Sequence, residues 1–125
     1  MITGTVTSSY EPVVRLALLG PQGQSQEIEA VVDTGFTGSF TLPPDLISTL
    51  GLVPRGQGFG VLADGQRILF EIFEAEVLWD TQPRRITVYA ADSTPLLGMD
   101  LLDGHELTMQ VFQGGMLSIR ALSIS

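Results

Sequence analysis

Short runs rich in Val, Ile, Thr, Phe and Tyr recur along the whole chain, each closed off by Gly, Pro or Asp, and this punctuation restricts the fold more than any other feature. Such segments favour extended backbone, and an extended segment leaves its N–H and C=O groups unsatisfied until a neighbouring strand meets them. Strands are expected over residues 2–9, 13–19, 26–32, 53–62, 66–79, 84–91, 107–112 and 116–124. Turns are expected at 20–24, at Asp64-Gly65, at 80–83 and at Gln113-Gly114-Gly115, and Asp-Gly between apolar flanks is a strong hairpin signal. Residues 43–51 break the pattern. Proline stands where a first helical turn tolerates it, Asp45 lies near the positive end of the dipole, Leu46, Ile47 and Leu50 share one side, and Gly51 is a stop, so a helix of about two turns is expected. A second short helical turn is expected from Met99 to Asp103.

The strand from Gln66 is unusually long, and its alternation changes phase partway. Ile68, Phe70 and Ile72 share one face, whereas Phe73, Ala75, Val77 and Trp79 share the other. A strand that swaps its buried face bends or passes between sheets. The architecture expected is all-β, a closed barrel or sandwich with one or two short helices, from which the hairpin at Asp64-Gly65 projects. With 125 residues and neither linkers nor repeats, residues 1–125 are expected to form one domain, burying roughly two thirds of the surface the unfolded chain exposes.

Composition removes several function classes. There is no cysteine, hence no disulfide and no thiolate metal site, and the one histidine, His105, supplies no multi-histidine site, so neither a metal nor another cofactor is expected. Fourteen acidic residues against six arginines give a net charge of −8, which repels phosphate backbones and anionic membrane surfaces, so neither nucleic acid nor membrane is an expected partner. No apolar run approaches the ~18 residues of a membrane span, and no basic, apolar leader is evident; the chain is expected to be soluble and cytoplasmic.

The chemistry concentrates where the apolar run Ala30-Val31-Val32 meets Asp33-Thr34-Gly35. A carboxylate where a buried strand would continue is costly, and the usual reading is a strand end, because Asp bonds its own backbone in turns and Gly accepts positive φ. The other reading is that the carboxylate itself is the purpose. Some sixty residues later comes Thr94-Pro95-Leu96-Leu97-Gly98-Met99-Asp100-Leu101-Leu102.

At these residues the sequence resembles the retropepsin-like aspartic proteases, the single-domain group that includes retroviral enzymes and small bacterial members. The likeness covers nearly the whole chain: an N-terminal hairpin, a strand ending in Asp-Thr-Gly, a further hairpin, then two apolar residues and a glycine leading into a short helix. It implies a retropepsin-like, dimeric, all-β fold and an aspartic endopeptidase acting on extended peptides or proteins. Metal-free peptide hydrolysis needs one carboxylate to take a proton from water and one carboxylic acid to protonate the carbonyl oxygen. Two aspartates a few ångströms apart share one proton, since both cannot ionise at once. This chain has one Asp-Thr-Gly, so the resemblance implies a homodimer in which the second catalytic group is Asp33 of another copy.

The same resemblance assigns Thr34, Gly35, Leu96, Leu97 and Gly98 to support of the active-site loop. It makes Gly60, Val61, Leu62, Ala63, Asp64 and Gly65 a flap over bound peptide, with Gly58, Gly60 and Gly65 as its flexible points. Two departures stand out. Retroviral members have an arginine after the apolar-apolar-Gly glycine and an aspartate soon after Asp-Thr-Gly, and these brace the dimer. Here the places hold Met99 and Phe36-Thr37-Gly38. The dimer is then expected to draw on the C-terminal strand 116–124, where Leu117, Ile119, Ala121 and Ser123 share a face. The alternative function is a catalytically inactive dimerisation or peptide-binding module of the same fold. His105 reads as a solvated or capping residue, Trp79 as a packing residue, and Glu71, Glu74 and Glu76 as the solvent side of a strand.

Overall fold

The computed structural model describes residues 1–123. Ten strands are found among them: β1 (Ile2–Val6), β2 (Pro12–Leu19), β3 (Ser25–Val32), β4 (Phe40–Leu42), β5 (Val53–Val61), β6 (Arg67–Trp79), β7 (Gln82–Ala90), β8 (Leu96–Leu97), β9 (His105–Met109) and β10 (Met116–Ala121). Two short helices, α1 (Pro44–Leu50) and α2 (Met99–Leu102), complete the described elements. The expected helix at 43–51 is α1, closed by Gly51 in the left-handed region at φ 62°. The last residue expected in the C-terminal strand, 124, lies outside the described residues.

All ten strands belong to one sheet, in the order β5-β6-β7-β4-β8-β3-β2-β1-β10-β9. A second pairing, Leu18 with Val77 and Leu19 with Glu76, joins β2 to β6 and curls the sheet back on itself. The all-β class and the short helices are as expected; the strands form one sheet, which is not a clear barrel. The sheet is single and curled, with β5 and β9 as its two ends. Alternation decides which faces turn inward: Val14, Leu16 and Leu18 of β2 and Ile28, Ala30 and Val32 of β3 are buried, and they meet Phe40, Leu42, Val77, Val88, Leu97, Leu101, Leu117 and Ile119 in one apolar cluster. On the outer face Arg15 reaches Glu27 and Glu29 across the β2–β3 ladder, exposed pairs of small energetic weight. None of the described helices is long and apolar enough to cross a membrane.

The phase change in β6 has a structural cause. From Ile72 to Trp79 the strand pairs with β7, and Ala75, Val77 and Trp79 are buried. From Arg67 to Glu71 it pairs with β5 alone, so this half forms a two-stranded arm, with Phe70 turned to the arm's inner side. A bulge at Arg55-Gly56 of β5, opposite Ile72, sits at the changeover, and Gly56 supplies the required φ of 92°. At the other end of β6, Asp80 and Thr81 both take positive φ and close a two-residue hairpin onto Gln82.

Packing withdraws two residues from the face expected at the dimer contact. Leu117 and Ile119 are buried in this chain's own core, and both edges of β10 are taken, by β1 and by β9. Leu117 and Ile119 and both edges of β10 are therefore consumed internally, whereas Ala121 and Ser123 of the expected face stay exposed.

Candidate active site

β8 is two residues long, yet it fixes the loop that follows β3. Val31 and Val32 pair in parallel with Leu96 and Leu97, while Phe40 pairs with Leu97 from the other side. Leu97 and Phe40 are fully buried, so the junction is anchored in the core. Asp33 then continues the ladder by one step, its N–H donating to the Leu97 carbonyl at 2.8 Å, before the chain turns. Within the turn the Gly35 N–H donates to Asp33 Oδ1 at 2.9 Å, and the Phe36 N–H donates to the Asp33 carbonyl at 3.2 Å. The carboxylate is thus oriented by backbone, with its group only partly buried. Thr34, at the apex, is exposed.

The segment after β8 closes around this loop. The N–H groups of Gly98, Met99 and Asp100 donate in succession to the carbonyls of Ser39, Phe36 and Gly38, at 2.9, 2.8 and 3.3 Å. Buried Ser39 also donates its hydroxyl to Asp100 Oδ2 at 2.6 Å, a charge-assisted bond. Gly98 is required by this approach, because a Cβ there would lie 2.1 Å from the Gly38 carbonyl oxygen and 2.6 Å from the Phe36 ring. Gly98→Ala is therefore expected to destabilise the fold by about 3 kcal/mol, since backbone on both sides must shift. Chemical denaturation measures this, and an unchanged midpoint would mean the two segments are not locked together.

The arm of β5 and β6 reaches the same loop. Thr37 donates its N–H to the Val61 carbonyl at 3.2 Å, and its Oγ1 accepts from the Val61 N–H at 3.1 Å. Beyond Val61 a tight turn forms: Leu62 and Gln66 pair, Asp64 Oδ1 accepts the Gln66 N–H, and Gly65 takes φ 85°. The turn lies against the aspartate loop, because a Cβ on Gly35 would come 2.5 Å from the Cβ of Ala63. Asp33, Thr34, Gly35, Leu96, Leu97, Gly98 and the segment 60–65 are thereby brought together at one end of the molecule.

Between arm and loop lie three rings. Phe36, Phe70 and Tyr89 meet edge to face, with centroids 5.4 to 6.4 Å apart. Gly60 fits against Phe36 and Phe70, and Gly38 against Phe36 and Tyr89, with no room for a side chain at Gly38. Gly58 and Gly60 thus serve close packing, while Gly65 is the glycine of the hairpin that backbone conformation demands. Burial pushes the Tyr89 phenol above its ordinary value, and the Asp100 carboxylate acts the same way, so its hydroxyl stays protonated through the neutral range.

Thr37, Ser39, Tyr89 and Asp100 are members of this assembly that sequence reasoning did not single out. Thr37 and Ser39 lie in the loop between β3 and β4, where no periodicity betrays a polar residue, while Asp100 lies in the four-residue α2 and Tyr89 in β7. For Thr37, Ser39 and Asp100 the one available signal was position, within four residues after Asp-Thr-Gly or two after Gly98; Tyr89 carried none. His105, read as solvated or capping, turns Nδ1 to the carbonyl of Asp103, the C-cap residue of α2, at 2.9 Å, and also accepts a hydrogen bond from buried Trp79 Nε1 at 2.9 Å. It lies far along the chain from Asp33 and orders the end of α2.

Comparison with protein-family models, with curated proteins and with solved structures finds no match for this chain. Function is therefore argued from the residues and their arrangement.

Proposed function

We propose that the chain is an aspartic endopeptidase of the retropepsin-like type, working as a homodimer in which Asp33 of each copy faces the other. The observation that carries this reading is the Asp33 loop. Its carboxylate stands at the end of a buried strand and is oriented by the Gly35 N–H, and the backbone of the loop is held by hydrogen bonds to the Leu96-Leu97-Gly98 segment rather than left as a solvated turn. A surface turn needs none of that bracing. The arm resting on the loop through Thr37 and Val61 gives a cover that lifts to admit an extended peptide and closes to exclude water.

In the proposed cycle the ionised member of the pair takes a proton from a bound water as its oxygen attacks the scissile carbonyl carbon. The protonated member gives its proton to the carbonyl oxygen, forming a neutral tetrahedral diol. Collapse of the diol breaks the C–N bond as the carboxyl proton passes to the leaving nitrogen and a diol hydroxyl gives its proton to the ionised carboxylate, which leaves a carboxylic acid, an amine and a pair that again carries one proton. The noncatalytic alternative draws on the absence of the Arg–Asp brace, since Met99 and Phe36-Thr37-Gly38 stand in those places.

The test is cleavage of an unfolded protein across a pH series. Activity is expected to follow a bell on the acidic side of neutral, because the working state carries one proton between two coupled carboxylates and fails when both or neither are protonated. Light scattering is recorded in parallel, as the sequence pI of about 4.3 favours precipitation in the same range. A peptide analogue with a hydroxyl in place of the scissile carbonyl should inhibit, and chelators should not. Activity rising steadily to pH 9, or no cleavage at any pH by a folded dimer, would exclude the proposed mechanism, and the second result would favour the binding module.

A further inference from the structure

Strand register gathers three connections at one end of the sheet. Val13 pairs with Val31, which brings the turn at residues 7–11 level with Asp33; Thr5 pairs with Met116 and Leu117 with Met109, which brings the loop at 110–115 to that same end. From strand spacing, that loop stands roughly 15 Å across the sheet from Asp33.

This end is unusual in what it exposes. Tyr10, Val111, Phe112 and Met116 are each more than half exposed, and Met99 beside the loop nearly so. The segments 7–11, 33–37 and 110–116 carry only two charged side chains, Glu11 and Asp33, and the turn at 60–65 against the Asp33 loop adds Asp64, in a chain whose net charge is −8. Nor are these residues loosely held. Gln113 Nε2 donates to the Ser8 carbonyl, Gly114 N–H to the Val6 carbonyl and Val6 N–H to the Gly115 carbonyl, at 2.8 to 3.0 Å, so turn and loop form one braced unit. Within it Tyr10 adopts φ 62°, a left-handed conformation that costs a non-glycine residue roughly 1 kcal/mol, while its ring stays largely in solvent.

We propose that this end, built from Tyr10, Val111, Phe112 and Met116, is the surface on which a second copy of the chain docks, in place of the Leu117–Ile119 face of the C-terminal strand. The proposal rests on the dyad reading, which needs a second carboxylate at the end of the sheet where Asp33 lies. Two features select a copy of this chain as the occupant. The site at this end is incomplete without a second Asp33, and it is the region where two chains of charge −8 approach with least repulsion. Aromatic residues and methionine with few charges are also what the centre of a protein interface contains.

Sedimentation equilibrium of the double variant Val111→Asp/Phe112→Asp tests it. The dimer dissociation constant is expected to rise at least about 100-fold, because the new carboxylates are desolvated against an apolar partner. The milder Val111→Ser/Phe112→Ser should raise it about tenfold, and serves if the first variant folds poorly by circular dichroism. Leu122→Asp, at the other end of the sheet, should leave it within about threefold. A variant pair that dimerises and cleaves like wild type overturns the surface and leaves the dyad standing. A wild-type chain that remains monomeric at millimolar concentration overturns the surface whether or not it cleaves; if it cleaves, the dyad falls too.

Discussion

Asp33→Asn is expected to abolish peptide cleavage, lowering kcat/KM by about 10³-fold or more, while the chain still folds and associates. Asparagine keeps the size of the side chain and an oxygen able to accept the Gly35 N–H, so the loop geometry has no reason to change. What it removes is the group that exchanges a proton with water and with the carbonyl oxygen. If two carboxylates face each other in the dimer, replacing them also relieves a like-charge contact, and the melting temperature should hold or rise. Cleavage assays and thermal melts on the same preparation separate the effects. A variant that retains wild-type activity would move the catalytic role to another carboxylate, and one that loses activity together with its fold would show only that Asp33 supports the loop.

The residues that made Asp33 legible in the sequence are also those that place it. Ala30-Val31-Val32 gives a buried strand, and Leu96-Leu97-Gly98 gives the segment that pairs beside it. Alternation marked most strands, and the phase switch at Ile72-Phe73 marked where β6 leaves the curled sheet for the arm. What stayed hidden was of two kinds. β4 and β8 span three and two residues, too few for any period, and they are strands only because β3 and β7 flank them. The fate of Leu117 and Ile119 was ambiguous in a different way. A row of apolar residues states that something covers them, and nothing local distinguishes the chain's own core from a partner. The Ser39–Asp100 and Thr37–Val61 bonds join residues 61 and 24 positions apart, so they follow from topology and from no local pattern.

Mixing the two forms of the chain should produce the second large effect. If each active site takes one Asp33 from each of two copies, a mixed dimer of wild-type and Asp33→Asn chains has a single aspartate and no shared proton. After equilibration with a ninefold excess of the variant, about nine in ten wild-type chains sit in mixed dimers, and activity per wild-type chain should fall about tenfold. Wild-type chain diluted alone should also lose specific activity near its dissociation constant, the rate falling faster than in proportion to concentration. The Val111→Asp/Phe112→Asp chain provides the internal control: unable to pair through the end that carries Val111 and Phe112, its own Asp33→Asn version should no longer poison the wild type. Undiminished activity in the ninefold mixture, with exchange between dimers demonstrated by labelled chains, would place a complete active site within one chain. The second carboxylate would then be one near the loop, with Asp100, whose Oδ2 accepts the Ser39 hydroxyl, as the first to replace.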